Sequence, residues 1–169
     1  PGVAASISVD GNMIISGITT LGTTSFTADA TINNVTVGEG AGSVATNTVV
    51  GNAALDANTT GAQNVSVGRN TLTENTTGNN NTAVGDGALA GNTTASKNTA
   101  IGRNALAVNS TGEQNTAVGQ EALAANTTAS DNTAVGRYAL YANTTGSSNT
   151  AVAVSYTHLT LPTKRGGVW

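Results

Sequence analysis

Residues able to do chemistry are few and scattered along this chain. It has no Cys, one His, nine Asp and Glu and six Lys and Arg. Carboxylates such as Asp86, Glu121 and Asp131 stand alone, without the second acid that general acid–base work needs, and the Gly-Gly-x-Gly-x-Asp calcium repeat is absent. No catalytic residue, cofactor or metal ligand is expected, and an enzyme is the least favoured class. Gly38-Glu39-Gly40-Ala41-Gly42 has the glycine density of a phosphate loop but no following Lys and no acidic ribose partner. It reads as a corner. Asn-Thr-Thr and Asn-Ser-Thr triplets open at Asn58, Asn75, Asn92, Asn109, Asn126 and Asn143 and match the glycosylation acceptor pattern. Their recurrence in a turn column has a simpler structural cause. Arg69, Arg103, Arg137, Tyr138 and Tyr141 remain as candidate surface-contact residues, since exposed aromatics beside a cation stack on sugars or protein ligands. The competing reading is that this patch closes the array or meets a neighbouring chain.

The elements that would position these residues follow from composition and periodicity. Only 9% of the residues are charged, against roughly 25% in an ordinary domain. The net charge of -3 comes without any basic cluster, which argues against nucleic acid as a partner. No apolar run approaches the ~20 residues of a membrane span, and no signal peptide opens the chain at Pro1. Residues 154–169 break every regularity before them. Ser155 to Thr163 resemble the codon-by-codon translation of a transposon-type sequencing adapter, so this tail is read as non-native and the chain as a metagenomic fragment cut at both ends. Without the tail, four basic residues face nine acidic ones, a net charge of -5.

The dominant signal is a period of 17 residues. Asn47, Asn64, Asn81, Asn98, Asn115, Asn132 and Asn149 open successive units, and Gly51, Gly68, Gly85, Gly102, Gly119 and Gly136 follow four positions later. The consensus is N-T-A-V-G-x-x-A-L-x-x-N-T-T-G-x-x. Such a unit is too short for two-helix repeats and suits one coil of a β-solenoid or β-roll. N-T-A-V alternates like a strand, Gly permits a corner at positive φ, and N-T-T-G carries turn residues. The x-x-A-L-x-x piece fits either a helical turn or a short irregular strand, and strand is favoured. Three modules result: a β-rich lead-in at 1–33, a solenoid array at 34–153, and the tail. The array divides into a shortened coil at 34–46, six full coils at 47–148 and a partial coil at 149–153.

Fixed and variable columns separate inside from outside. The fourth column is Val50, Val67, Val84, Ile101, Val118 and Val135, and the ninth is Leu55, Leu72, Leu89, Leu106, Leu123 and Leu140. Both are expected in the core, while the charged columns face water. Asn81, Asn98, Asn115 and Asn132, with Gly85, Gly102, Gly119 and Gly136, are expected at turns and in amide ladders along the axis, about 4.8 Å from rung to rung. One Val and one Leu per coil make a thin core, which favours burying a second face against identical chains. Small columns such as Ala83 and Ala88 are expected to allow that close approach.

The units resemble the Asn-Thr-Ala-Val-Gly repeats of phage tail-fibre proteins, and more distantly the Asn-Ser-Val-Ala-Ile-Gly repeats of trimeric autotransporter adhesin heads. The resemblance covers about residues 7–153 and implies a parallel homotrimer. In the adhesin heads the strand matching Thr82-Ala83-Val84-Gly85 belongs to a left-handed parallel β-roll packed threefold about one axis. The implied function is a structural and adhesive rod in the virion that supports attachment to a bacterial surface glycan or protein receptor. The alternative is the head of a bacterial cell-surface adhesin, where an anchoring barrel and coiled-coil stalk would follow in place of a fibre's chaperone-protease domain. A second alternative, from another class, is a monomeric solenoid that binds a regular surface such as ice. Its contact would come from the aligned Thr59-Thr60, Thr76-Thr77, Thr93-Thr94 and Thr127-Thr128, although ice binding favours a flat strand and these fall in turns.

Overall fold

A computed structural model describes residues 5–7, 13–15, 29–32 and 34–152. Most of the lead-in and the whole 154–169 tail lie outside the described residues. The chain is all-β. β1 (Ala5–Ile7) and β2 (Met13–Ile15) form an antiparallel pair. A second sheet runs in chain order through β3 (Ala30–Ile32), β4 (Val35–Gly38), β5 (Thr48–Gly51), β6 (Val65–Val67), β7 (Thr82–Val84), β8 (Thr99–Ile101), β9 (Thr116–Val118), β10 (Thr133–Val135) and β11 (Thr150–Val152).

From β5 to β11 every pairing is parallel and shifted by one unit: Thr82 faces Thr99, Ala83 faces Ala100 and Val84 faces Ile101. From β7 to β11, Thr therefore stacks on Thr, Ala on Ala, and Val on Val or Ile. The 17-residue period is one coil of a β-solenoid, as the spacing predicts. The rungs are also bonded outside the strands. Leu89 N–H donates to Ala105 C=O (3.0 Å), and Gly102 N–H donates to Val84 C=O (2.8 Å).

The expected coil at 34–46 is corrected. β4 pairs with β5 antiparallel, so the chain enters the array through a reversed strand rather than a first coil. A 3-10 turn at Ala41–Ser43 then lies against the first full rung, where Ala41 N–H donates to Leu55 C=O (3.2 Å). This segment caps the end of the solenoid. Sequence spacing misleads here because Asn34-Val35-Thr36-Val37-Gly38 copies the strand motif, whereas direction is set by the turns that follow.

The core also differs from expectation. The strand alternation points Ala83, Ala100, Ala117 and Ala134 inward, all buried, and turns the neighbouring Val column outward. Val50, Ile101 and Val135 are 37%, 41% and 36% exposed, and Val67, Val84 and Val118 are half-buried. The column of Leu55, Leu72, Leu89, Leu106 and Leu123 is fully buried and fills the middle of each coil with Ala88, Ala105, Ala122 and Ala139. On the strand opposite, a methyl group takes the inward position from β7 to β10, Ser66 takes it in β6, and Val49 takes it in β5 at the end of the array. Leu140, in the last full coil, is partly buried against that core. Ala83 and Ala88 therefore belong to the single chain's interior and offer no surface for a neighbour.

The x-x-A-L-x-x piece is neither strand nor helical turn. It is a run of tight turns in which every Leu of the column adopts a left-handed conformation, with φ between 49° and 53°. Left-handed backbone costs an L-residue about 1–2 kcal/mol. Burying the Leu side chain returns about 1.5–3 kcal/mol, enough to hold it there.

Candidate functional site

Each rung is closed internally by two asparagines. Asn98 Nδ2 donates to Gly112 C=O (2.9 Å), and Asn109 Nδ2 donates to the same carbonyl (2.8 Å). The same double clamp recurs on Gly61, Gly78, Ala95 and Ala129. Both columns also bond along the axis. Asn81, Asn98 and Asn115 each offer Oδ1 to the backbone N–H of the Asn one rung on, at 2.9 to 3.0 Å. Asn92 Nδ2 donates to Asn75 Oδ1 (2.8 Å), and Asn126 Nδ2 donates to Asn109 Oδ1 (2.8 Å). The two columns thus differ. The first ties side chain to backbone between rungs and, from Asn98 onward, amide to amide as well, as in Asn115 Nδ2 donating to Asn98 Oδ1 (3.2 Å), whereas the second bonds between rungs as an amide-to-amide ladder.

These bonds decide five of the six glycosylation triplets, Asn143 being half-buried. Asn58, Asn75, Asn92, Asn109 and Asn126 are buried, with their amide nitrogens already donated inward, so no glycosyl group can reach them in the folded coil. The glycine-rich stretch cradles an anion after all, but an internal one. Glu39 N–H and Gly40 N–H donate to the two oxygens of the Asp29 carboxylate (2.6 and 2.8 Å). Asp29 was not foreseen from the sequence. An acid ten residues before a Gly-x-Gly loop is the signal that points to it.

Gly85, Gly102, Gly119 and Gly136 stack at the corner with φ of 123° to 134°. A Cβ on Gly102 would lie 2.6 Å from the Gly119 carbonyl carbon and oxygen, so the corner requires Gly both for its φ and for rung-to-rung contact.

Candidate surface-contact residues do not converge on one site. Arg69 bonds Asp86 (3.0 Å) and Arg103 bonds Glu121 (2.8 Å), each pairing one rung with the next. Arg137, Tyr138 and Tyr141 do cluster. The Arg137 guanidinium lies 4.6 Å from the centre of the Tyr138 ring, and the two Tyr rings meet edge to face at 5.5 Å. Tyr138 is thereby covered on one side by its own chain.

Two Thr columns have different fates. The hydroxyls of Thr59, Thr76, Thr93 and Thr127 donate to carbonyls in the next rung, so half of the turn threonines proposed for a regular surface are internally bonded. Thr82, Thr99, Thr116 and Thr133 instead face outward on the strands, beside Val84, Ile101, Val118 and Val135. The sequence signal for this strand column is the alternation of N-T-A-V, which is less conspicuous than the paired turn threonines. Among the described residues, no group of three or more His, Asp or Glu could hold a metal ion, and no helix is long and apolar enough to cross a membrane. No protein-family model matches this chain, and neither does any curated protein or solved structure.

Proposed function

We propose that this chain is a structural segment of a trimeric phage tail fibre, a rod that supports attachment to a bacterial surface. The observation that carries the reading is the rung-by-rung identity of the array. Seven parallel strands stack in register, and each full rung repeats the internal Asn and Leu contacts of the last while surface residues vary. An array built this way supplies length and stiffness rather than a pocket. Six rungs at about 4.8 Å give roughly 29 Å of rod. Three parallel copies would bring Arg69, Arg103, Arg137, Tyr138 and Tyr141 to the same levels three times, so that weak contacts to a surface glycan or protein act together. The Asn-Thr-Ala-Val-Gly resemblance supplies the threefold assembly and the virion setting.

Light scattering on the purified chain, with circular dichroism on the same sample, tests this. A folded β-rich species at three times the chain mass is the expected result. A folded β-rich monomer would overturn the trimer.

A further inference from the structure

From the outward face of the parallel strands, we infer that this solenoid has an ice-binding surface, an activity that goes beyond the fibre reading. Two columns form this face from β5 to β11. One is Thr48, Val65, Thr82, Thr99, Thr116, Thr133 and Thr150, and the other is the Val column with Ile101. Neither contains a charge. Every Arg and Lys of the full coils lies in a different column.

The pairing register makes this face a rigid grid. Thr stacks on Thr and Val on Val or Ile from β7 to β11, with backbone ladder bonds fixing each step. Successive rows lie about 4.8 Å apart, and the Thr and Val of one strand about 6.7 Å apart. These repeats are of the same order as those of hexagonal ice. Branched methyl groups on such a grid favour cage-like ordering of the water above them, while the hydroxyls anchor that water by hydrogen bonds. Water ordered at this spacing continues into an ice lattice. A protein adsorbed there forces the ice front to grow curved between attachment points, which lowers the freezing temperature below the melting temperature.

The width of the face favours a lattice over a protein partner. Its two columns lie on strands of three residues, about 10 Å across, against the roughly 30 Å span of a compact ~800 Å² patch on one partner of a stable protein interface. A rigid crystal surface requires no such area from one molecule, because adsorption to a growing front is cumulative. This corrects the basis of the ice alternative: the relevant hydroxyls are on the strands, and the turn pairs are partly consumed inside the coil.

The test is thermal hysteresis and ice-recrystallisation inhibition by the full chain, with the Thr99→Lys/Thr116→Lys double variant beside it. Thr94→Lys/Thr111→Lys, on exposed turn positions, is the control. Activity in the parent and control that falls to the level of buffer in the strand variant, with unchanged circular dichroism, is the expected result. A folded parent without hysteresis, or activity that survives both strand lysines, would overturn the proposal. So would a parent trimer that dissociates only in the strand variant, because the face would then be an interface between copies. Should the double variant unfold, Thr116→Ser supplies the same comparison: it keeps the hydroxyl, removes the methyl, and is expected to reduce activity.

Discussion

Replacing Asn98 by Ala should cost far more than its polar character implies. Asn98 is fully buried in the middle of the array. Its Oδ1 accepts the backbone N–H of Asn115 (2.9 Å), and its Nδ2 donates to Gly112 C=O. Truncation leaves Gly112 C=O with a second donor, Asn109 Nδ2, so that carbonyl stays satisfied. The Asn115 N–H has no such reserve and is orphaned in a site closed to water. One buried donor left unmade costs about 1–3 kcal/mol, and the lost amide bond adds about 1 kcal/mol, giving roughly 2–4 kcal/mol. Urea unfolding followed by circular dichroism at constant m reads this directly. Asn98→Asp sharpens the test, since it keeps the acceptor and the shape but loses the donor. Burial holds the new carboxyl above its ordinary range, so the protonated form is favoured in the folded state. This variant should therefore gain stability as pH falls through the folded pKa, with the gain complete below the unfolded value of about 4. A loss under about 0.5 kcal/mol for Asn98→Ala, the scale of an ordinary surface change, would refute the clamp as a source of stability.

Three further substitutions separate the parts of the coil. Leu106→Ala removes a fully buried side chain and should cost about 2–5 kcal/mol in the same unfolding assay. Gly102→Ala places a methyl against Gly119 at φ 132° and should lower the thermal midpoint by more than the ~1 kcal/mol equivalent of an ordinary glycine effect. Arg103→Ala breaks an ion pair whose Arg side chain is half exposed, so its cost should be within about 1 kcal/mol and should vanish when unfolding is repeated at high salt.

Much of this architecture was legible because the period is fixed. The Asn and Gly columns gave the rung length, the all-β class and the positions of the ladders, since those residue types recur only where backbone or neighbouring rungs demand them. The direction of the strand's two faces was not legible from hydrophobicity. Val outranks Ala for burial in general, yet strand alternation turns Ala83, Ala100, Ala117 and Ala134 inward against the Leu column and Val84 and Ile101 outward, while in β5, at the end of the array, the inward residue is Val49. The Ala-Leu turn was hidden for a related reason. No local propensity places Leu89 or Leu106 at positive φ; burial overrides it. The Arg137, Tyr138 and Tyr141 grouping was visible as neighbours in sequence, whereas the Arg69–Asp86 and Arg103–Glu121 pairs needed the rung register to appear.

Distances along the coil axis test the stacked-rung account most directly. Thr60, Thr128 and Thr145 occupy the same exposed turn column, four and five 17-residue units apart. Nitroxide labels on Thr60→Cys/Thr128→Cys and Thr60→Cys/Thr145→Cys, diluted with unlabelled chain, should give pulsed electron–electron distances centred near about 19 and 24 Å, one 4.8 Å rise apart. Distances that fail to increase by a single rung spacing between the two pairs would contradict the solenoid.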